Sequence, residues 1–332
     1  GYEVWEVTGY TAERAAKARA VLAALADGAQ FAFCYSESST MPMTMCDPHH
    51  IPLRPFLDAR FFHQLKAHRI PTGHFLRDIY WAFPGYREDV RPPKREAALA
   101  AYAWDLRNLR RSLSCLYVPS REMAEYIDTG SLRIEELPPG HDIAEPTPGP
   151  AAGLRLLYVG DVGVFYRFER MVDAVTRAHR NGADVSLTIC TREDSWLRFR
   201  DSYAPFLSDA ITVVHESGQS LEKLYSEANV TSLFVEPDEY WTFSMPVKMF
   251  EYVGHGKPII ASSPSLSGDF VDRERIGWTL PYETEACAEL LMTLARSPER
   301  IETARLQARL VSARHTWLAR ARQVADELTA LH

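Results

Sequence analysis

The chain has 332 residues, 46% of them hydrophobic and 24% charged, so it has enough apolar surface for a large core and is not a disordered polymer. Its formal net charge of −7 argues against general nucleic-acid binding, which favours a basic domain. Five scattered cysteines, an odd number, do not form a disulfide framework and suit a reducing, cytoplasmic compartment, and no apolar run reaches the length of a membrane span or a signal peptide.

The first half alternates strand-like and helical stretches. The strand candidates are "YEVWEVT" (2–8), "QFAFCYS" (30–36), "IPTGHFL" (70–76) and "CLYVPS" (115–120). Helical spacing covers 12–26 and about 94–113, the latter with Leu99, Tyr102, Ala103, Leu106, Leu109 and Leu113 on its apolar side. The first candidate opens almost at the first residue, which leaves room for a strand and loop preceding the sequence. Residues 136–153, "ELPPGHDIAEPTPGPAAG", carry five prolines and three glycines and read as a linker, giving an N-terminal domain 1–145 and a C-terminal domain 146–332 whose final helices can cross back.

The second half alternates more cleanly. Strands are expected at 154–160, 185–190, 211–214, 231–235 and 258–262. Helices are expected at 167–182, around "SWLRFRDSYAPFL", at "SLEKLYSEAN", at the start of "PVKMFEYVGHG" and onward to the end. Strands alternating with helices predict an α/β fold of two Rossmann-like domains with parallel sheets and a cleft between them.

One segment carries charges that packing does not require. In "TFSMPVKMFEYVGHGKPIIAS" (242–262), Pro246 suits a first helical position, Ser244 suits the cap before it, and Gly254 and Gly256 close a helix of about two turns. Its free N–H groups, including those of Met245 and Val247, and its positive dipole end suit a phosphate, with Lys248 adding a point charge. Glu251 lies on the same face and suits the hydroxyls of a ribose; the alternative is a solvated ion pair worth under about 1 kcal/mol.

"EYWTFSMPVKMFEYVGHGKPIIAS" resembles the donor-nucleotide motif of GT-B-fold glycosyltransferases, in the bacterial family-4-like branch with its P-x-K-x-F-E-Y pattern. "LRLLYVGDVG", "HESGQSLEKLYSEANV", "GDFVDRERIGW", "IPTGHFLRDIYWAFPGY" and "LYVPSREMAEYI" agree in order, so that the likeness covers roughly residues 65–330. The resemblance implies sugar transfer from a nucleotide diphosphate sugar, with UDP the expected carrier, to an acceptor of unknown identity such as a glycan, a lipid-linked sugar or a secondary metabolite. It implies that Glu251 holds the ribose and that Lys248 and the nearby amides hold the diphosphate. The base is expected near "CTRED" (190–194), where Arg192 is a stacking candidate, and near His215. One departure stands out: many retaining members carry an acidic residue at the position of Phe243, and here the nearest upstream acids are Asp238 and Glu239. Retaining and inverting chemistry both stay open.

Further candidates are Asp78 as general base or acceptor-orienting carboxylate, with His74 and Arg77 beside the acceptor, and Gly160, Gly163 and Arg167 near the donor. Each has a bland alternative: a cap for Asp78, core filling for His74, tight turns for the glycines and a surface position for Arg167. "CDPHH" (46–50) lacks a partner cluster with ligand spacing, and no D-x-D run is present, so neither a metal nor another cofactor is expected. Arg107, Arg110 and Arg111 leave peripheral contact with anionic lipid at the inner face of a membrane open, against solvated arginines. The oligomeric state is not legible. Two other functions stay open: a nucleotide-sugar epimerase, and a nucleotide-sugar-binding protein without catalysis.

Overall fold

The protein is described from a computed structural model covering residues 1–142, 144, 149–150, 152–164 and 166–331. The centre of the expected linker, residues 143, 145–148 and 151, lies outside the described residues. The chain forms two compact units, one of residues 1–138 together with 321–332, the other of residues 139–320.

The first unit is built on β1 (Cys34–Glu37), β2 (Thr72–Phe75), β3 (Cys115–Val118) and β4 (Arg133–Glu136), all parallel in the order β1-β2-β3-β4. "YEVWEVT" forms no strand: residues 1–8 pair with no ladder, and Tyr2 and Trp5 instead set their rings edge-on against Phe33 and Phe31 at 5.2 and 5.5 Å. Its alternation of apolar and acidic residues is satisfied by two ring contacts, leaving most of the segment exposed. Strand β4, "RIEE", has no apolar pattern; it is formed because its backbone completes β3. The longer helices are Thr11–Ala26, Leu57–Ala67 and Lys94–Ser112, with the short helices Pro84–Asp89 and Arg121–Ala124 beside them. In Lys94–Ser112 the buried stripe is Ala98, Asp105, Leu109 and Ser112, whereas the expected Ala103 faces out. Across the sheet, Val324 and Leu328 pack with Cys115, Tyr117 and Leu137. Gly73 on β2 permits this, since a Cβ there would lie 2.7 Å from the Tyr117 ring and 3.1 Å from Leu328.

The second unit holds β5 (Leu154–Val159), β6 (Val185–Cys190), β7 (Ile211–Val214), β8 (Val230–Leu233), β9 (Ile259–Ser263) and β10 (Gly277–Pro281). They are parallel in the order β10-β9-β8-β5-β6-β7, the doubly wound arrangement whose strand order reverses between β5 and β8. Alternation along β5 divides the core in two. Leu154, Leu156 and Tyr158 join one cluster with the helix Glu169–Arg180, while Leu157 and Val159 join the other with Phe250 and Val253. Both faces are covered, which is why these strands read as continuous apolar runs.

Candidate functional site

The carboxyl ends of β5 and β8 flank the reversal of strand order, the position at which doubly wound sheets bind ligands. Beyond β8 the chain makes a short 3-10 turn, Glu239–Thr242, whose N-cap Asp238 accepts from the N–H of Trp241 at 3.2 Å. The helix Val247–Gly254 follows. Its buried side, Met249, Phe250, Tyr252 and Val253, fixes it on the sheet, and Tyr252 Oη accepts from the N–H of Val159, the last residue of β5, at 2.9 Å.

The helix starts one residue later than expected, with Pro246 as N-cap. Ser244 therefore does not cap it. Pro246 is extended, at ψ 137°, and its carbonyl accepts from Met249 N at 3.1 Å, closing the first turn without Ser244. A proline N-cap has no side-chain oxygen to offer the first-turn N–H groups. Met245 is buried in the core and Val247 is exposed. At the other end Gly256, at φ +62°, terminates the helix as expected, with Gly256 N bonded to Val253 O at 2.9 Å and Lys257 N to Tyr252 O at 2.9 Å.

Lys248 and Glu251 lie side by side, Nζ to Oε2 at 2.6 Å, each about one-third exposed. Tyr225 Oη donates to the same oxygen at 3.4 Å, so Oε1 of Glu251 is left without a partner among the described residues. Burial raises the Cys190 thiol pKa at the end of β6, and the Lys248 ammonium is close enough to oppose that rise.

The other donor candidates are more dispersed. Gly160 and Gly163 follow β5, but their own neighbours fill the space a side chain would need: added Cβ atoms would lie 2.8 Å from Tyr158 Oη and 3.0 Å from Phe199. Arg167 precedes the helix Glu169–Arg180 instead of lying on it, and pairs with Glu236 at 2.9 Å. Arg192 is the exposed N-cap residue of the helix Glu193–Tyr203, 3.9 Å from Asp194. His215 Nδ1 lies 2.8 Å from the carbonyl oxygen of Thr191, so "CTRED" and the histidine do meet at the ends of β6 and β7. Phe243 is buried, its ring edge-on to that of Tyr240 at 5.1 Å. Two further acids, Asp161 and Glu236, lie beyond β5 and β8. Asp161 accepts from Val162 N at 2.8 Å and from Ser195 Oγ, and Glu236 is the partner of Arg167.

In the first unit a cavity of about 110 Å3 is lined by Ser38, His74, Asp78, Trp81, Tyr102 and Asp105, among others. Asp78 Oδ1 accepts from the N–H groups of Ile79 and Tyr80 at 2.6 and 3.0 Å, and so starts the turn Tyr80–Ala82 while facing the cavity. His74 is fully buried beside Ser36 Oγ at 3.1 Å, and burial lowers its pKa to about 4, keeping the ring neutral. Arg77 is exposed and pairs with Glu37 at 3.3 Å. In "CDPHH", Asp47 accepts from Thr11 N at 2.8 Å and His50 bonds to Met45 O at 3.1 Å. Among the described residues no group of three or more His, Cys, Asp or Glu side chains is arranged around a common point.

No protein-family model matches the chain, and no curated protein matches it by sequence. Solved structures match it in shape. Sucrose-phosphate synthase from Thermosynechococcus elongatus gives a TM-score of 0.60 at 18% identity, over 96% of this chain and 78% of that one. HepE from Anabaena, in complex with UDP and glucose, gives 0.64 at 14% identity, over 97% and 83%. The pneumococcal O-GlcNAc transferase GtfA, in complex with UDP and GlcNAc, gives 0.56 at 15% identity, over 81% and 54%. The fold is therefore that of GT-B glycosyltransferases, an α/β architecture of two Rossmann-like units.

Proposed function

We propose that the protein is a glycosyltransferase that moves a sugar from a nucleotide diphosphate sugar, UDP-linked, to a hydroxyl acceptor held by the first unit. The observation that carries this reading is the placement of Lys248 and Glu251 on one half-buried helix face, beside the strand-order reversal of a fold shared with UDP-bound proteins. The diphosphate takes the first-turn N–H groups and the protons of Lys248 not engaged by Glu251. The ribose hydroxyls donate to Oε1 of Glu251, so nucleotide binds without breaking the pair. Lys248 and the helix dipole stabilise charge developing on the leaving diphosphate, and this neutralisation needs no metal. Asp78 is the carboxylate assigned to the acceptor hydroxyl. His74, neutral and buried, positions the wall around it, and its lowered pKa makes it a weak proton acceptor.

Calorimetric titration of UDP, GDP and ADP tests the donor assignment. UDP should bind at least about tenfold more tightly than the others. Glu251→Ala and Lys248→Ala should each weaken it by roughly 1.5–3 kcal/mol, the range for hydrogen bonds to charged groups. Binding indifferent to both substitutions would reduce the segment to a surface helix with an ion pair.

A further inference from the structure

We infer that one face of the first unit docks on an anionic phospholipid surface. The helices Thr11–Ala26 and Leu57–Ala67 border a groove of about 370 Å3, floored by Ala15, Ala18, Leu22 and Phe61. At its mouth the loop before the second helix carries Ile51, Leu53 and Phe56, exposed by 57%, 66% and 48%. Trp104 stands beside them, its ring 5.6 Å from that of Phe56. Three arginines, Arg19, Arg54 and Arg60, line the same groove, and no acidic residue does.

That charge distribution runs against the whole chain, whose net charge is −7. Residues 51–70 hold Arg54, Arg60, Lys66 and Arg69 against the single acid Asp58. Asp58 is spent internally, accepting from Arg14 at 3.0 and 3.2 Å. Arg107, one turn beyond Trp104, is exposed, as is Arg111, whereas Arg110 is tied to Asp128. The arginine strip expected on this helix thus has two exposed members, Arg107 and Arg111, on the helix that carries Trp104.

Protruding apolar side chains ringed by arginines match a bilayer better than a protein. Leu53 and Ile51 stand out from a loop and would need matching pockets in a folded partner; lipid accepts them without any. Tryptophan settles at the headgroup level, and arginines extend their stems over apolar surface to reach phosphates. No described helix is long and apolar enough to cross a membrane, and the contact proposed here is made by surface side chains. Every residue named here belongs to the first unit, whereas Lys248 and Glu251 belong to the second.

Co-sedimentation of the whole chain with phosphatidylcholine vesicles, with and without phosphatidylglycerol, tests it. The protein should pellet with the anionic vesicles and be released by salt. Arg54→Glu with Arg60→Glu should lower the partition by about tenfold or more, because each basic side chain contributes near the surface. Leu53→Glu, at an exposed position that leaves the fold intact by circular dichroism, should also lower it. Tryptophan quenching by brominated acyl chains should fall in Trp104→Phe. Equal binding to neutral vesicles, no binding to either, or binding unchanged by Leu53→Glu overturns the inference. So does retention on heparin as strong as on the vesicles and indifferent to Leu53→Glu, which would leave only a polyanion-binding arginine patch. UDP titration of the same variants should be unaffected, which separates this result from the donor assignment.

Discussion

Asp105 occupies a position where a helix facing a core would ordinarily place an alanine or leucine. Its carboxylate accepts from Met43 N at 2.7 Å and so ties the loop that walls the cavity of the first unit to the helix Lys94–Ser112. Burial raises its pKa to about 7, with Asp58 adding to the rise and the Met43 hydrogen bond and Arg14 opposing it. An aspartate in the unfolded chain titrates near 4. The folded state therefore holds the proton more tightly, and the stability present below pH 4 is lost as the pH rises towards 7. Asp105→Asn retains an acceptor for Met43 and removes the buried charge. It should raise stability at pH 8 by roughly 1–3 kcal/mol and remove the pH dependence between pH 4 and 7, so that the difference from wild type is small near pH 4 and grows as the pH rises, read from urea melts at a series of pH values. A variant less stable than wild type at pH 8 would show that the ionised carboxylate is needed. Nothing in the sequence pattern singles out Asp105, because one acid in an apolar stripe looks the same whether it turns inward or reaches solvent. The side-by-side placement of Lys248 and Glu251 was legible for the opposite reason: residues three apart on a helix share a face, and the two side chains meet at 2.6 Å.

At the scale of elements, the helix Val247–Gly254 depends on its ends. Eight residues are too few to hold a helix by propensity, so packing and the glycine stop must do so. Gly256 is left-handed at φ +62°, and an added Cβ would also lie 2.8 Å from Arg309 Cγ. Gly256→Val should lower stability by roughly 2–3 kcal/mol, combining left-handed strain with that contact. Urea denaturation followed by circular dichroism measures it; a loss below about 0.5 kcal/mol would mean that the chain can end this helix without a left-handed residue. Just beyond it, Lys257 is fully buried and donates to Ala228 O at 2.7 Å, fastening the end of the helix to the segment before β8. The elements that read correctly from sequence are those whose burial writes a period into the residues: β5, β6 and the helix Glu169–Arg180, which are covered on their apolar sides. Those that did not were set by neighbours. Strand β4 is an edge of charged residues recruited by β3, and β10, among the described residues, pairs with β9 alone while carrying no clean alternation. Residues 2–8 have the alternation without a partner strand and stay unpaired.

At the scale of the whole molecule, chain order and structural order differ, and this has a measurable consequence. Residues 321–332 belong to the unit formed by residues 1–138, although the intervening 139–320 form the other. Val324 and Leu328, buried to 5% and 0% exposure, close the core over Cys115, Tyr117 and Leu137, and Gln323 donates to Glu136 O at 2.9 Å. Removing residues 321–332 deletes two fully packed side chains at once, each of a kind whose loss destabilises by roughly 2–5 kcal/mol. That approaches the whole stability of a domain of this size. The second unit retains its six strands, both core clusters, Lys248 and Glu251. The truncated chain should therefore show two separated transitions in calorimetry, the lower one belonging to the first unit. Saturating UDP, by mass action on the state that binds it, should raise only the upper transition, by an amount that grows with the logarithm of its concentration. If UDP instead raised the lower transition, the nucleotide site would belong to the first unit. Loss of both transitions together would mean that the second unit is not stable on its own core.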